Sequence, residues 1–257
     1  MSLVKDYCKE IIKELDKIPV FLPGTPVSVG DVITFGKGFV KPRPIGSFDP
    51  ISKLSSLGVT FQEQDDSDPD PYLYASKGSV GVSFTADANA ATVGKGKLEI
   101  NFNKEGATYF AAVDCKVNSI VDTSNLEQQL EPHKNSIDWK NCFIVTSVTV
   151  AKRALIMQSN SQSASLVIEG DVKGLQTGSE LDVDANIALR INTYKDSSFI
   201  KDWSENVTVF FTLARYRKKF LGDWGMATKK AMYINKDSDD YELTPVYPDD
   251  LLMHELE

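Results

Sequence analysis

A chain of 257 residues with 42% hydrophobic and 25% charged residues has enough apolar material for a full core, as one large domain or one domain with a small appendage, and is not globally disordered. The net charge of −8 argues against a general nucleic-acid binder, and no run of about 18 apolar residues offers a membrane helix. Cys8, Cys115 and Cys142 show neither metal-ligand spacing nor an even disulfide framework, so they read as free thiols.

The start, MSLVKDYCKEIIKELDKI, is charged and amphipathic without an apolar signal-peptide core, which predicts a cytoplasmic protein. Leu3, Tyr7, Ile11, Leu15 and Ile18 recur at steps of three or four and predict a helix over residues 3–17, ended by Pro19. VFLPG follows as a first extended segment, and Pro and Gly then break the chain into short pieces as far as Val59. FQEQDDSDPDPY, acidic and proline-bearing, predicts an exposed loop. From Tyr72 to Ile120 the period becomes two, with Val80, Val82 and Phe84, then Leu98, Ile100 and Phe102, then Tyr109, Ala111 and Val113 on alternate positions. ADANAATVGKGK, between the first two of these strands, suits a mobile hairpin tip. DTSNLEQQLEPHK predicts a helix with Asp or Ser near its N-terminus and Pro132 near its end.

The stretch from Asn141 to Asp171 holds two uncharged runs, 141–151 and 154–168, separated by Lys152 and Arg153. Frequent Ser, Thr and Gln exclude a membrane helix, while Ala164, Leu166 and Ile168 alternate with Ser163, Ser165 and Val167. A pair of strands is expected here, followed by SELDVDANIALRINT and NVTVFFTLARYRKKFLGDW. Strands grouped by short turns predict an α+β fold with an antiparallel sheet.

Catalytic chemistry finds little support. The two histidines are His133, at a predicted helix end, and His254, near the C-terminus. VGKGKLEI lacks phosphate-loop spacing and reads as a turn. Asp182 and Asp184 share one face of a predicted strand, where solvation is the simpler role, and Cys115 and Cys142 sit in strand patterns that suit small buried side chains. The chain therefore reads as a non-enzyme without cofactor or metal.

The order of segments resembles the bacterial branch of the gasdermin family, pore-forming proteins of programmed cell death. The resemblance covers about residues 4–222. It is carried by the early cysteine in a short helix, VFLPG, GVSFTADANA, GKGKLEINFNKEGATYFAAVDCKVNSIVDTSNLEQQL, WKNCFIVTSVTVAKRALIMQSNSQSASLVIEGDV and VTVFFTLARYRKKFL. It implies a twisted antiparallel central sheet with flanking short helices, like a gasdermin N-terminal domain over residues 1–222. It also implies hairpins that insert as membrane strands of a homo-oligomeric ring, formed from a monomer. Phe143, Val145, Leu166 and Ile168 are then candidates for lipid-facing positions, since a spanning strand needs about 9–11 residues of alternating character. The resemblance further implies acylation near the N-terminus, with Cys8 as candidate for a palmitoyl chain, although it lies deeper in the sequence than is usual and inside the helix. It implies a short C-terminal autoinhibitory segment removed by a caspase-like or trypsin-like partner protease, in antiphage defence, with passage from cytoplasm to inner membrane. The alternatives are a non-lytic β-rich module that binds lipid or protein, and a pore former of an unrelated toxin family.

Residues 223–257 carry nine acidic against three basic residues. Before them stands RYRKKF, whose Arg215, Arg217, Lys218 and Lys219 are candidates for contact with anionic lipid once an acidic cover leaves. NKDSDDYEL, residues 235–243, is charged enough to be exposed, and Asn235, Lys236, Asp237, Asp239, Asp240 and Leu243 mark the candidate cleavage region. Met232, Tyr233, Ile234, Leu243, Val246, Leu251 and Leu252 are expected to dock part of the tail on the body.

Overall fold

The computed structural model describes residues 3–35, 48–68, 70–86, 95–172, 175, 189–195, 197–218 and 241–253. The chain opens with α1 (Leu3–Leu15), which buries Tyr7, Cys8, Ile11 and Ile12 against the main core. The helix stops before Pro19 is reached, because Asp16 turns left-handed at φ 51 while its N–H still donates to Ile12 O at 3.0 Å. Pro19 instead lies in a two-residue strand, β1 (Ile18–Pro19). VFLPG is correspondingly not a strand: Thr25 N–H donates back to Leu22 O at 2.9 Å, closing a turn.

Short strands β2 (Asp31–Thr34), β3 (Asp49–Lys53), β4 (Glu63–Asp68) and β5 (Tyr72–Ala75) precede β6 (Val80–Ala86), β7 (Lys95–Phe102) and the long β8 (Thr108–Ile120). The acidic segment expected as a loop is thus strand β4, paired antiparallel with β8 from Glu63↔Ile120 to Asp68↔Cys115. Its side chains remain in water, and partner hydrogen bonding decides the conformation in spite of the poor strand propensity of Asp. Helix α2 (Thr123–Leu130) begins where the Asp122 carboxylate accepts from the N–H groups of Ser124 and Asn125 at 2.9 and 3.0 Å. After it come β9 (Phe143–Ser159), β10 (Ser165–Asp171), β11 (Arg190–Lys195), β12 (Ser197–Lys218), β13 (Tyr241–Val246) and α3 (Pro248–Met253).

The fold is α+β, with two antiparallel sheets. The central sheet is organised on β9 and β12, paired along most of their length with four register shifts, each of which adds local twist. Beyond β9 lies β8, and beyond β8 lie β4 and β5; β2 and β3 continue the sheet at the start of β9. On the other side, β12 receives β1 at Phe210 and Phe211 and β13 from Leu213 to Lys218. The second sheet has the order β11-β10-β7-β6.

The two uncharged runs are therefore not a pair of neighbouring strands. They are one strand of 17 residues, β9, and a second strand, β10, that belongs to the other sheet. The chain changes layer over residues 160–164. That corner is held by Gln158 Nε2, donating to Gly106 O at 3.0 Å, and by Gly106 N–H, donating to Ser159 O at 3.0 Å. Two cores result. One packs α1, α2 and the short strands on the first face of the central sheet, and the other lies between the sheets, where Tyr109, Ala111, Val113, Leu155 and Met157 meet Leu98, Ile100, Phe102, Leu166 and Ile168. Strands β8 and β9 are buried on both faces where the sheets overlap, which is why Ala154–Ser159 reads as an unbroken buried run. The charges at 152 and 153 are placed where β9 leaves this overlap: Lys152 Nζ meets Asp114 Oδ2 at 3.2 Å, and Arg153 pairs with Glu205.

Candidate functional site

Two features stand out, one on the edge of β12 and the other on the second sheet. The first is the docked tail. Strand β13 pairs antiparallel with β12 from Leu213↔Val246 to Lys218↔Tyr241, so six residues of the acidic C-terminal segment cover the edge formed by LARYRK. Pro245 is tolerated because β13 is itself an edge strand. Glu242 Oε1 stands 3.6 Å from Arg217 Nε, which also donates to Thr244 Oγ1 at 3.2 Å. Leu243 N–H donates to Glu127 Oε2 of α2 at 2.9 Å. The Tyr241 ring stacks on Tyr216 at 5.1 Å, and Tyr216 meets Trp139 edge-on at 5.4 Å. Leu243 and Val246 pack on the main core, Leu251 of α3 is buried, and α3 contacts α1.

Beside this seam lies a groove of about 710 Å3 lined by Trp139, Lys140, Arg215, Tyr216, Arg217 and Tyr241, among others. The Arg215 guanidinium lies 4.6 Å from the Phe143 ring centre, a cation–π contact. Burial, and Arg217 beside it, push its pKa down, while Asp250 of α3 opposes that shift. Tail and body thus sense each other electrostatically as well as through the strand ladder.

The second feature is the four-stranded sheet. It consists of two antiparallel hairpins, β6–β7 and β10–β11, joined side by side through β7–β10. Its inner face is apolar: Leu98, Ile100, Phe102, Leu166 and Ile168 are buried, with Val80, Val82 and Phe84 partly so. Its outer face carries Ser83, Thr85, Lys97, Asn101 and Glu169 in water. At Gly96 a Cβ would stand 2.3 Å from Thr85 O and 2.7 Å from the Phe84 ring, so the missing side chain lets Phe84 cross the pair and seal the inner face.

The candidates read from sequence divide accordingly. Leu166 and Ile168 fall on the apolar face of the four-stranded sheet, both fully buried. Phe143 and Val145 do not join them: they are in the first part of β9, buried in the other core, where no solvent-facing alternation exists. Cys8 is 1% exposed in the core contact of α1, a position that an acylating enzyme reaches only when the helix lifts. Arg217 and Lys218 are exposed and Arg215 half-buried along the covered edge; Lys219 lies outside the described residues. Asn235, Lys236, Asp237, Asp239 and Asp240 also lie outside them, as do Met232, Tyr233, Ile234, Asp182, Asp184 and the hairpin tip at 87–94. Leu243, expected in an exposed cleavage stretch, is instead half-buried within β13, because the strand ladder and Glu127 both hold it. Strand β13 and its pairing with β12 were missed by sequence reading; the signal was the alternation of Tyr241, Leu243 and charged or polar neighbours after the acidic run.

Cys115 and Cys142 are buried. Burial, with help from Asp68 and Asp114, pushes the Cys115 thiol up to about 12. Among the described residues no three His, Cys, Asp or Glu side chains form a metal cluster, and no helix is long and apolar enough to cross a membrane.

No family model matches the sequence, and no curated protein matches it. Among solved structures, a bacterial gasdermin from Bradyrhizobium tropiciagri is similar, with a TM-score of 0.34 and 12% identity over 82% of this chain and 86% of that chain.

Proposed function

We propose that this chain is an autoinhibited pore-forming protein of gasdermin type, held inactive by its C-terminal segment and released by a protease that cuts between residues 235 and 240. The observation that supports the reading is the seating of β13 and α3 on the body across the basic edge of β12. A segment so placed does two things at once: it occupies backbone groups that would otherwise recruit another strand, and it neutralises Arg217. Cleavage turns an intramolecular contact into a bimolecular one, and the loss of an effective concentration of about millimolar lets the fragment leave.

The inserting elements in this reading are the hairpins β6–β7 and β10–β11. Strands β6, β7 and β10 each have one apolar and one polar face, the pattern of a strand with lipid on one side and a water-filled lumen on the other. In the resting protein β8 and β9 take the place of lipid against the apolar face. Single strands cannot enter hydrocarbon with unpaired backbone, so insertion requires neighbouring subunits to close the sheet. The destination is the inner membrane, and a palmitoyl chain on Cys8 would belong to the state in which α1 has lifted, where a single chain adds marginal affinity.

The test is a chain with a site-specific protease sequence inserted between Asn235 and Asp240. Intact, it should leave liposomes sealed; after cleavage, liposomes rich in anionic lipid should release their dye. Complete cleavage with tail dissociation but no leakage would return the protein to a non-lytic module that binds lipid or protein through the same sheet.

A further inference from the structure

The central sheet has a second edge that answers the first. Strand β4 carries Glu63, Asp65, Asp66 and Asp68, and among the described residues it pairs on one side alone, with β8. Among the described residues no cation forms a salt bridge with any of these four acids. At the opposite edge, under β13, stand Arg215, Arg217 and Lys218. An acidic edge is a usual defence against edge-to-edge pairing, but it defends only against another acidic or neutral edge. Against a basic edge it is an invitation.

The directions of the strands sharpen this. Each neighbour pair from β4 through β8, β9 and β12 to β13 is antiparallel. Following the alternation across the sheet, β4 runs parallel to β9 and to β13. A second copy in the same orientation therefore offers β4 to β12 with the polarity that β13 has in the resting chain. Both strands are six residues long.

We infer that, once the tail leaves, strand β4 of a second copy takes the place of β13 on β12, and that this contact is the repeating joint of the assembly. The inference rests on the pore-forming reading only for what uncovers the edge. With β4 in the β13 register, Glu63 stands opposite Lys218 and Asp66 opposite Arg215, while Arg217 is diagonal to Asp66, within the reach of long side chains. Within one chain β4 lies level with β12 residues 207–213. The partner copy must therefore shift along the strands by about five residues, or ~17 Å at about 3.4 Å per residue. Different surfaces meet at such a joint, so it is heterologous and generates a ring or an open helical array in place of a closed dimer.

The experiment uses the cleavable full chain. In a Glu63→Cys, Lys218→Cys variant the two cysteines are on opposite edges of one molecule, so a disulfide between them joins copies. After cleavage and mild oxidation it should give a ladder of covalent multimers, absent from uncleaved protein and from the parent with its three buried cysteines. Glu63→Lys with Asp66→Lys changes exposed side chains only; uncleaved, it should melt with the parent, and after cleavage its multimer yield should fall at least tenfold. Cleaved parent that leaks liposomes while the cysteine pair forms no ladder and the lysine variant still leaks would overturn the joint and leave the pore standing. A ladder without leakage would do the reverse.

Discussion

The two sheets differ in what it takes to part them from the rest of the molecule. The central sheet is threaded through the fold: β9 is flanked by β8 and β2 on one side and β12 on the other, and where the sheets overlap both of its faces are buried. The four-stranded sheet has one buried face and one solvated face, and among the described residues it has no strand partner in the central sheet. It is attached through apolar contact, through chain connections and through single bonds such as the Tyr109 hydroxyl donating to Leu175 O at 2.6 Å. Apolar contact is non-directional and can be exchanged for lipid, whereas a strand ladder can be exchanged only for another ladder. The division suits the proposed release of the four-stranded sheet while the central sheet remains folded.

The contrast is broken most severely by charge. Val145→Asp places a carboxylate in a fully buried site of β9, and a loss of more than about 4 kcal/mol is expected, enough to leave no soluble protein. Val167→Asp, on the half-exposed outer face of β10, should cost about 1 kcal/mol and purify normally. Soluble yield and thermal melting separate the two; equal behaviour would mean that the outer face is not an outer face.

A cavity sharpens the same contrast. Ile168→Ala removes a fully buried side chain between the sheets and should cost about 2–5 kcal/mol. Amide hydrogen exchange should accelerate in β6, β7, β10 and β11 while β9 and β12 keep their protection. Uniform acceleration would show the two sheets to be one cooperative unit.

The smallest effect is a titration that addresses the central sheet. Burial holds the thiol of Cys115 on β8 up to about 12 and the hydroxyl of Tyr74 on β5 likewise up to about 12. Both keep their protons in the folded chain at pH values where the unfolded chain begins to lose them. The unfolded state is therefore favoured as pH rises, so stability should be level below about pH 9 and decline above it toward about pH 12. Urea midpoints across that range check the direction, and Cys115→Ala should flatten part of the slope.

Much of the local structure was legible. Helix α1 follows from Tyr7 and Ile11 at helical spacing, α2 from Asp122 as its cap, and β6 and β7 from alternation, all of which depend on neighbours in sequence. What was not legible depends on partners far along the chain. Residues 154–168 look alike in composition, yet the corner at residues 160–164 sends Leu155 and Leu166 to opposite sides of one core. Glu63–Asp68 has the composition of a loop and becomes a strand because Cys115–Ile120 offers it a ladder. Phe143 and Val145 flank Ile144 in one unbroken apolar run, and such a run cannot be told by period from a strand with one lipid-facing side until the packing around it is known. The site on β12 was half legible: the opposed charges of tail and body were visible, and the strand that joins them was not.

The aromatic contact across the tail seam has an optical consequence. The indole of Trp139 touches Tyr216, which touches Tyr241 of the tail, and its Nε1–H donates to His133 O at 3.0 Å. In the proposed release of the tail, Tyr241 would withdraw and water would gain the face of Tyr216 beside the indole. The emission of that residue then becomes a clock for departure of the tail, one that needs no dye and runs separately from any signal of bilayer damage. Under the proposed activation, the interval between the two signals measures the lifetime of a freed subunit before insertion.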